Sequence, residues 1–248
     1  MVLLISRRYA AIAAVLALCI GGMFGILWFW QGSASIAAAG RLSPDGARLT
    51  VVLDPGHGGE DGGAVAADGT VESSLNLEIA RRTELLLRFL GQKTVMTRRD
   101  DRSIYSDGAE TLHEKKVSDL KNRVALVNQE SACVLISIHQ NMLPGSSRTH
   151  GAQVFFNEPS GADALAQSVQ DLLNQTINVG CEKACRPISK QIYLMKHVTA
   201  PAILIECGFL SNPDETALLK TKQHQLRLAA AVSAGYFLAR SGTGEDHT

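Results

Sequence analysis

The hydrophobic residues divide the chain into one long apolar segment and a region where short apolar runs alternate with helical stripes. The apolar segment covers residues 9–30 and contains no charged residue. Beyond residue 40, continuous apolar runs are typical of buried strands, and stripes at helical spacing are typical of amphipathic helices. The pattern therefore predicts a membrane-directed segment followed by one α/β domain.

The N-terminal apolar segment has the length of a membrane-spanning helix, because a bilayer core requires about 20 apolar residues. Arg7 and Arg8 precede it and predict that this end stays in the cytoplasm, with the rest of the chain outside. We favour an uncleaved signal anchor over cleavage after residues 37–39, since secretory apolar cores usually have only about 7 to 15 residues. The predicted organisation is an anchor and linker at 1–40, a folded domain at 41–240 and a polar tail at 241–248.

The hydrophobic pattern of the folded domain predicts alternating strands and helices. Strands are predicted at residues 49–53, 94–97, 133–138, 152–156, 192–195 and 202–206. Helices are predicted at residues 75–90, 120–127, 162–177 and 223–238, and the polar stretch 99–118 is predicted to be a long loop bordering the functional site. This alternation predicts a three-layer α/β sandwich in which helices flank a mostly parallel or mixed central sheet.

The composition narrows the range of partners. Lys and Arg together number 24, as do Asp and Glu, so there is no basic excess to bind a nucleic acid backbone. Hydrophobic residues make up 46% of the chain and charged residues 19%, which is the composition of a globular protein. Cys181 and Cys185 flank a polar loop, where an oxidising exterior would permit a disulfide and where two free thiols are equally consistent with the sequence.

Three residues able to bind a metal or transfer a proton lie at predicted strand ends. His57 follows the first strand, His139 ends the central strand and Glu206 ends the last strand. The carboxyl ends of parallel strands meet at one edge of a sheet, where ligands bind. Two histidines and a carboxylate can supply the three protein ligands of a catalytic zinc. Glu206 is the strongest indication, because a buried carboxylate without a partner is costly.

Simpler explanations exist for each feature taken alone. A histidine at a strand end is often a structural hydrogen-bonding residue, and the glycines at 58, 59, 62 and 63 are also typical of turns. A glycine-rich loop after a strand can hold phosphate, but the chain has no Gly-x4-Gly-Lys and no Gly-x-Gly-x2-Gly opening a helix. The sequence therefore does not favour nucleotide binding.

Four ordered motifs carry a resemblance to a known family, and the match runs over residues 49–238. They are VVLDPGHGG at 51–59 with DGGA at 61–64, Glu72 with Asn76 and Leu77, SIHQN at 137–141, and IECGFLSN at 205–212. These motifs resemble those of the zinc-dependent N-acetylmuramoyl-L-alanine amidases of the type 3 class. The resemblance implies one Zn²⁺ per chain bound by His57, Glu72 and His139, with Glu206 as the catalytic glutamate in a catalytic domain at 41–240. It also implies hydrolysis of the amide bond between N-acetylmuramic acid and L-alanine in peptidoglycan.

The choice of the third zinc ligand depends on the resemblance. Spacing alone does not choose Glu72 over the other nearby carboxylates, which are those of Asp54, Glu60 and Asp61. Asp54 lies three residues before His57 and is placed either to accept a hydrogen bond from an imidazole or to shape the turn. Gln140 departs from the family pattern, because relatives often carry a small or apolar residue there.

Within the family, the chain is most similar to the germination-specific enzymes of the spore cortex. The similarity covers residues 115–120, 192–195 and 212–213, and the interval from His139 to Glu206 has no long extra helix. It implies an extracytoplasmic enzyme, anchored or secreted, that would act between the forespore membranes and remove stem peptides so that a deacetylase can form muramic-δ-lactam. The resemblance also allows an accessory lipoprotein as a partner. The alternatives are a vegetative cell-separation amidase, an inactive peptidoglycan-binding module and a zinc carboxypeptidase.

Overall fold

The computed structural model describes residues 49–189 and 191–242. The strands in this part of the chain are β1 (Thr50–Pro55), β2 (Lys93–Met96), β3 (Cys133–Asn141), β4 (Gln153–Phe156), β5 (Arg186–Pro187) and β6 (Ala202–Phe209). The helices are α1 (Glu72–Phe89), α2 (Leu112–Gln129), α3 (Ala162–Thr176), α4 (Tyr193–His197), α5 (Pro213–Leu219) and α6 (Lys222–Gly242). None of these helices combines the length and the apolar character that a bilayer crossing needs. The predicted signal anchor lies outside the described residues, as do residues 243–248 of the predicted tail.

The six strands form one mixed sheet in the order β2-β1-β3-β6-β4-β5. Strands β2, β1, β3 and β6 run parallel, β4 runs antiparallel to β6, and β5 runs parallel to β4. Helices α1, α3 and α6 pack on one face around the larger apolar core, and α2 and α4 cover the other face. The predicted three-layer α/β sandwich is therefore confirmed for this part of the chain. The central strands are buried along nearly their whole length, as expected for strands covered on both faces.

The register of the parallel strands places the predicted residues at one edge. Pro55 at the end of β1 pairs with Ile138 on β3, and His139 on β3 pairs with Glu206 on β6. The loop after β1 then carries His57 over the same edge and leads to Glu72, the first residue of α1. Residues that lie far apart in the sequence are thus brought together by strand pairing.

The predicted strand at 192–195 is wrong, because these residues begin the short helix α4. Four consecutive apolar residues are too few to distinguish a buried strand from a helical turn. Leu194 and Met195 are both buried in the core on the α2 side of the sheet. Neighbouring side chains on a strand would point to opposite faces, whereas neighbours on a helix lie about 100° apart and can both fall within one buried stripe. The outer edge of the sheet is formed instead by β5, which the sequence pattern did not reveal.

The polar stretch 99–118 is only partly a loop, since α2 begins at Leu112. Thr111 and Glu114 form a capping box, in which each side chain accepts a hydrogen bond from the backbone N–H of the other residue. The first turns of α2 are exposed, so they lack the apolar stripe that would have indicated a helix. The remaining loop contacts the His57 segment, because Ser103 Oγ donates to the carbonyl of Gly58 over 2.6 Å. The predicted position beside the site is therefore correct.

Candidate active site

Three side chains with metal-binding atoms converge at the carboxyl edge of the sheet. One ligand atom each from His57, Glu72 and His139 lies within 4.8 Å of the others. Glu72 Oε1 is 3.4 Å from His57 Nε2 and 3.0 Å from His139 Nδ1. The structure thus brings together the three residues that the resemblance indicated, and two of them, the histidines, were also indicated by their strand-end positions.

Glu72 is held in place by hydrogen bonds to both carboxylate oxygens. Oε2 accepts from the backbone N–H of Ala64 over 2.9 Å, and Oε1 accepts from the backbone N–H of Gln140 over 3.1 Å and from Asn76 Nδ2 over 3.3 Å. The Gln140 side chain in turn donates to Asn76 Oδ1. Burial opposes ionisation, but hydrogen bonds and charge interactions with His139 and His57 hold the pKa of Glu72 well below its usual range. Glu72 therefore faces the two imidazoles as a carboxylate.

His57 lies on a strained turn. Its φ of 61° makes it the only non-glycine residue with positive φ in the described part of the chain, a conformation that costs about 1 to 3 kcal/mol. The close approach of the backbone also requires glycine at 63, where a Cβ would lie 2.6 Å from Glu72 Oε2 and 2.8 Å from the His57 ring. Strain of this kind persists only where surrounding contacts fix the backbone.

Asp61 orients the His57 ring from the side opposite Glu72. Its Oδ2 atom lies 3.0 Å from His57 Nδ1, and its Oδ1 atom lies 2.9 Å from Lys116 Nζ. Burial disfavours the imidazolium, but the hydrogen bonds and charges of Asp61 and Glu72 outweigh it and raise the pKa of His57 to about 9. Sequence reasoning assigned a possible orienting role to Asp54 and missed Asp61, although its position four residues after His57 was available as a signal.

Asp54 has a different environment. It is 1% exposed, and it accepts hydrogen bonds from Thr97 Oγ1, Ser137 Oγ and the Arg123 guanidinium. Burial alone would raise its pKa, but the charge of Arg123 and the two hydroxyl donors lower the pKa of Asp54 to about 2. No described contact joins Asp54 to an imidazole nitrogen, so the suggestion that it orients a histidine is not supported. It belongs to a buried charge network beneath the site.

Glu206 lies on β6 beside His139 and lines the same pocket as the three metal-binding side chains. Its Oε2 atom is buried and has no hydrogen-bond partner among the residues that the structure describes. Burial, which the charges of the two histidines offset only in part, raises the pKa of Glu206 to about 7. A carboxyl group with this pKa can both accept and donate a proton near neutral pH.

The pocket around these residues has a volume of about 530 Å³. Its rim includes Lys116 from α2, together with Ile192 and Tyr193 where α4 begins. Glu60, one of the carboxylates that spacing could not exclude as a ligand, is exposed and pairs with Lys115 over 2.7 Å. A concave site with a few converging polar groups and shifted pKa values is typical of an active site.

The comparisons with known proteins identify the family. A family described as N-acetylmuramoyl-L-alanine amidase matches residues 51–236, which is most of the chain. The chain is a member of the N-acetylmuramoyl-L-alanine amidase family. The amidase is accordingly an enzyme of the class that the sequence motifs predicted.

Individual relatives give the same assignment. The germination-specific N-acetylmuramoyl-L-alanine amidase of Bacillus subtilis is 39% identical over 186 residues, covering 75% of this chain and 77% of the relative. The amidase AmiA of Escherichia coli is 26% identical and covers 94% of this chain and 91% of the relative. The structure of the CwlD amidase from Clostridioides difficile, solved with the GerS lipoprotein, matches with a TM-score of 0.75 and 33% identity, covering 79% of this chain and all of that one.

The donor set of the amidase fits a zinc ion. Two imidazole nitrogens and one carboxylate oxygen are ligands that catalytic zinc sites use, with a fourth position left for water. Zinc bonds of about 2.0 to 2.1 Å in a tetrahedral site separate neighbouring donors by about 3.3 Å. The two separations from Glu72 Oε1, 3.4 and 3.0 Å, are close to that value, and all three donors lie within 4.8 Å of one another. The buried Glu206 oxygen without a partner is also consistent with a polar group that binds beside it.

Proposed function

We propose that the amidase is a zinc-dependent hydrolase in which His57, Glu72 and His139 bind the metal and Glu206 transfers the proton. The observation that carries the proposal is the convergence of three zinc-type donors within 4.8 Å in a pocket that Glu206 also lines. Its substrate is the muramyl peptide of peptidoglycan, as the activity named for its relatives indicates. The bond cleaved is the amide between N-acetylmuramic acid and L-alanine.

In the proposed mechanism, zinc would activate the water and the carbonyl group, and Glu206 would transfer the proton. His57, Glu72 and His139 would hold the zinc, which when bound would make a water molecule more acidic and polarise the carbonyl group of the scissile amide. The Glu206 carboxylate would accept a proton from the attacking water as the water oxygen bonds to the carbonyl carbon, and would then donate that proton to the L-alanine nitrogen as the C–N bond breaks. Burial raises the pKa of Glu206 to about 7 in the metal-free chain, and a zinc ion bound nearby would favour the carboxylate that accepts the first proton. Asp61 holds the His57 ring so that Nε2 faces the metal position.

The proposed biological role is removal of stem peptides in the spore cortex. The 39% identity with the germination-specific enzyme of Bacillus subtilis supports this role over vegetative cell separation. A muramic acid deacetylase would then act on the peptide-free sugar to form muramic-δ-lactam. The GerS lipoprotein in the structure of the Clostridioides difficile relative supports an accessory lipoprotein as a partner. The chain would act outside the cytoplasm, held by residues 9–30 as a signal anchor.

Mass spectrometry of purified peptidoglycan tests the reaction. The full chain, purified in mild detergent, should release intact stem peptides with a free L-alanine amino group, stop after treatment with a chelator, and resume on addition of zinc. Release of single C-terminal amino acids instead would indicate a carboxypeptidase. Binding to glycan strands without release of peptide, with zinc supplied, would indicate an inactive binding module.

A muropeptide profile of spores lacking the chain would separate the cortex role from cell separation, because only loss of the cortex role removes muramic-δ-lactam.

A further inference from the structure

Two buried arginines hold the backbone of the turn that carries His57. From one side, Arg123 donates to the carbonyl of Pro55 over 3.0 Å and to the carbonyl of His57 over 2.8 Å. From the other side, Arg98 donates to Pro55 over 2.9 Å and to the carbonyl of Gly56 over 3.0 Å. Three consecutive carbonyl groups are therefore fixed by guanidinium donors. The same Arg98 group also donates to the carbonyl of Ser73, next to Glu72.

Arg123 is itself fixed by two acidic residues. Its Nη1 atom lies 2.6 Å from Asp54 Oδ1, and its Nε atom lies 2.7 Å from Asp119 Oδ2. Arg123 and Asp54 are each 1% exposed, and neither contributes an atom to the set of three metal-binding donors. The guanidinium therefore has one geometry, set by carboxylates on β1 and α2.

Stability alone is a weak reason for such a network. Removing two ions from water costs much of what their attraction returns, and well-packed apolar residues often replace a buried ion pair without loss of stability. An apolar side chain at position 123 would fill the space, but it would leave the carbonyl of His57 without its guanidinium donor and the carbonyl of Pro55 with Arg98 alone. What the arginine adds is the direction of those carbonyls, and with it the backbone conformation of the turn.

That conformation determines where the imidazole lies. His57 has the unfavourable φ of 61°, and the hydrogen bond from Arg123 reaches the carbonyl of this same residue. If His57 relaxed to an ordinary φ, its side chain would leave the position 3.4 Å from Glu72 Oε1. The hydrogen bond from Arg123 therefore helps to hold both the strained backbone of His57 and the position of its imidazole.

We propose that Arg123 is a positioning residue of the zinc site, holding the strained His57 backbone so that the imidazole is preorganised for the metal, with Arg98 supporting the same turn from the opposite side. The inference rests on the zinc ligands proposed above. It assigns the buried Asp54–Arg123–Asp119 network a role in metal affinity, in addition to its packing role.

The Arg123→Lys substitution tests the proposal in the full chain. Lysine keeps a positive charge beside Asp54 and Asp119, but a single ammonium cannot reach both carboxylates and both carbonyls as the guanidinium fork does. Zinc affinity, measured by chelator competition well below the unfolding temperature of the metal-free protein, should weaken about 10- to 100-fold, the usual range for groups that orient a ligand. The visible spectrum of the cobalt(II)-substituted protein should also change, since it reports ligand geometry. Arg82→Lys, at a partly exposed arginine that pairs with Glu78, is the matched control and should change neither.

A merely structural role predicts a different result. In that case Arg123→Lys would lower the unfolding temperature, but the folded protein would bind zinc with wild-type affinity and give the wild-type cobalt spectrum, which would overturn the proposal. If Arg123→Lys does not fold, Arg98→Lys applies the same test to the opposite side of the turn, with the same two outcomes. Failure of the wild-type chain to bind zinc would instead overturn the proposed function, and this inference with it.

Discussion

Asp61 Oδ2 lies 3.0 Å from Nδ1 of His57, while Nε2 of the same ring faces Glu72 Oε1 at 3.4 Å. The two ring nitrogens are therefore engaged by two different carboxylates. A hydrogen bond at Nδ1 fixes the tautomer in which Nε2 has its lone pair free, and it makes that nitrogen a better metal ligand. Asp61 would thus support His57 as the proposed metal ligand while contacting only the opposite nitrogen of the ring.

Asp61→Asn should weaken zinc binding about 10- to 100-fold, because asparagine keeps the shape but loses the negative charge that supports the ring. The substitution should also lower the pKa of His57 in the metal-free chain, since Asp61 is the largest contribution that raises it. Chelator competition and NMR titration of the imidazole measure the two effects. Asp68→Asn, at an exposed carboxylate paired with Lys220, is the control. An unchanged zinc affinity in Asp61→Asn would show that His57 does not depend on Asp61 for its orientation.

Zinc affinity should rise with pH up to about pH 9. The pKa of His57 is raised to about 9 in the metal-free chain, so the ring is protonated below that pH and zinc must displace a proton. Each decrease of one pH unit between about 9 and 7 should therefore raise the zinc dissociation constant about tenfold, which means weaker binding. Competition titrations at several pH values measure the slope, and calorimetry in buffers of different ionisation enthalpy counts the protons released. A zinc affinity independent of pH over this interval would contradict the protonated state of His57.

Glu206→Gln should retain zinc but lose about 100- to 10,000-fold in the rate of stem-peptide release, the usual contribution of a general acid–base group. Glutamine has nearly the same size but cannot accept the proton of the attacking water. Metal content by mass spectrometry and peptide release from peptidoglycan are measured on the same preparation. Loss of zinc together with activity would place Glu206 among the metal ligands, and retained turnover would refute its role in proton transfer.

Gly56→Ala should disrupt the site through His139. A Cβ at this position would lie 2.1 Å from Cε1 and 2.3 Å from Nε2 of the His139 ring, so the ring must move. Zinc affinity should fall by at least about tenfold, and overpacking should lower the free energy of unfolding by about 1 to 3 kcal/mol. The control is Gly69→Ala, where the φ of +84° is unfavourable for alanine but no atom lies within 4 Å. That variant should lose stability in denaturant titrations without losing zinc affinity.

The sequence predicted those parts of the fold that have a repeating pattern. The runs that form β1, β3 and β6 are mostly apolar, and the rule that parallel strands end at one edge of a sheet predicts where their carboxyl ends lie. This rule alone brought His57, His139 and Glu206 together. It failed for 192–195, since four apolar residues fit a turn of helix as well as a strand.

The remaining features depend on contacts between distant segments. Arg123 meets Asp54 across 69 positions of the chain, and no local pattern indicates that pairing. Glu72 was chosen by family resemblance, because its selection over Glu60 depends on how the loop after β1 folds back to α1. Asp61 could have been found from its spacing to His57, but the spacing of Asp54 was equally suitable. Which of the two contacts the ring is decided by Arg123, which binds Asp54.

The position of β6 in the sheet also affects the chain while it is being synthesised. Among the described strands β6 is the last to leave the ribosome, yet it lies between β3 and β4, so a nascent chain that ends just before β6 has two separate groups of strands, β2-β1-β3 and β4-β5, with unpaired edges. Such a chain already contains His57, Glu72 and His139, but it lacks Glu206. With the roles proposed above, a chain cut before β6 would keep the three proposed metal ligands but lose the proton-transfer group, and its unpaired strand edges would favour aggregation over weak activity.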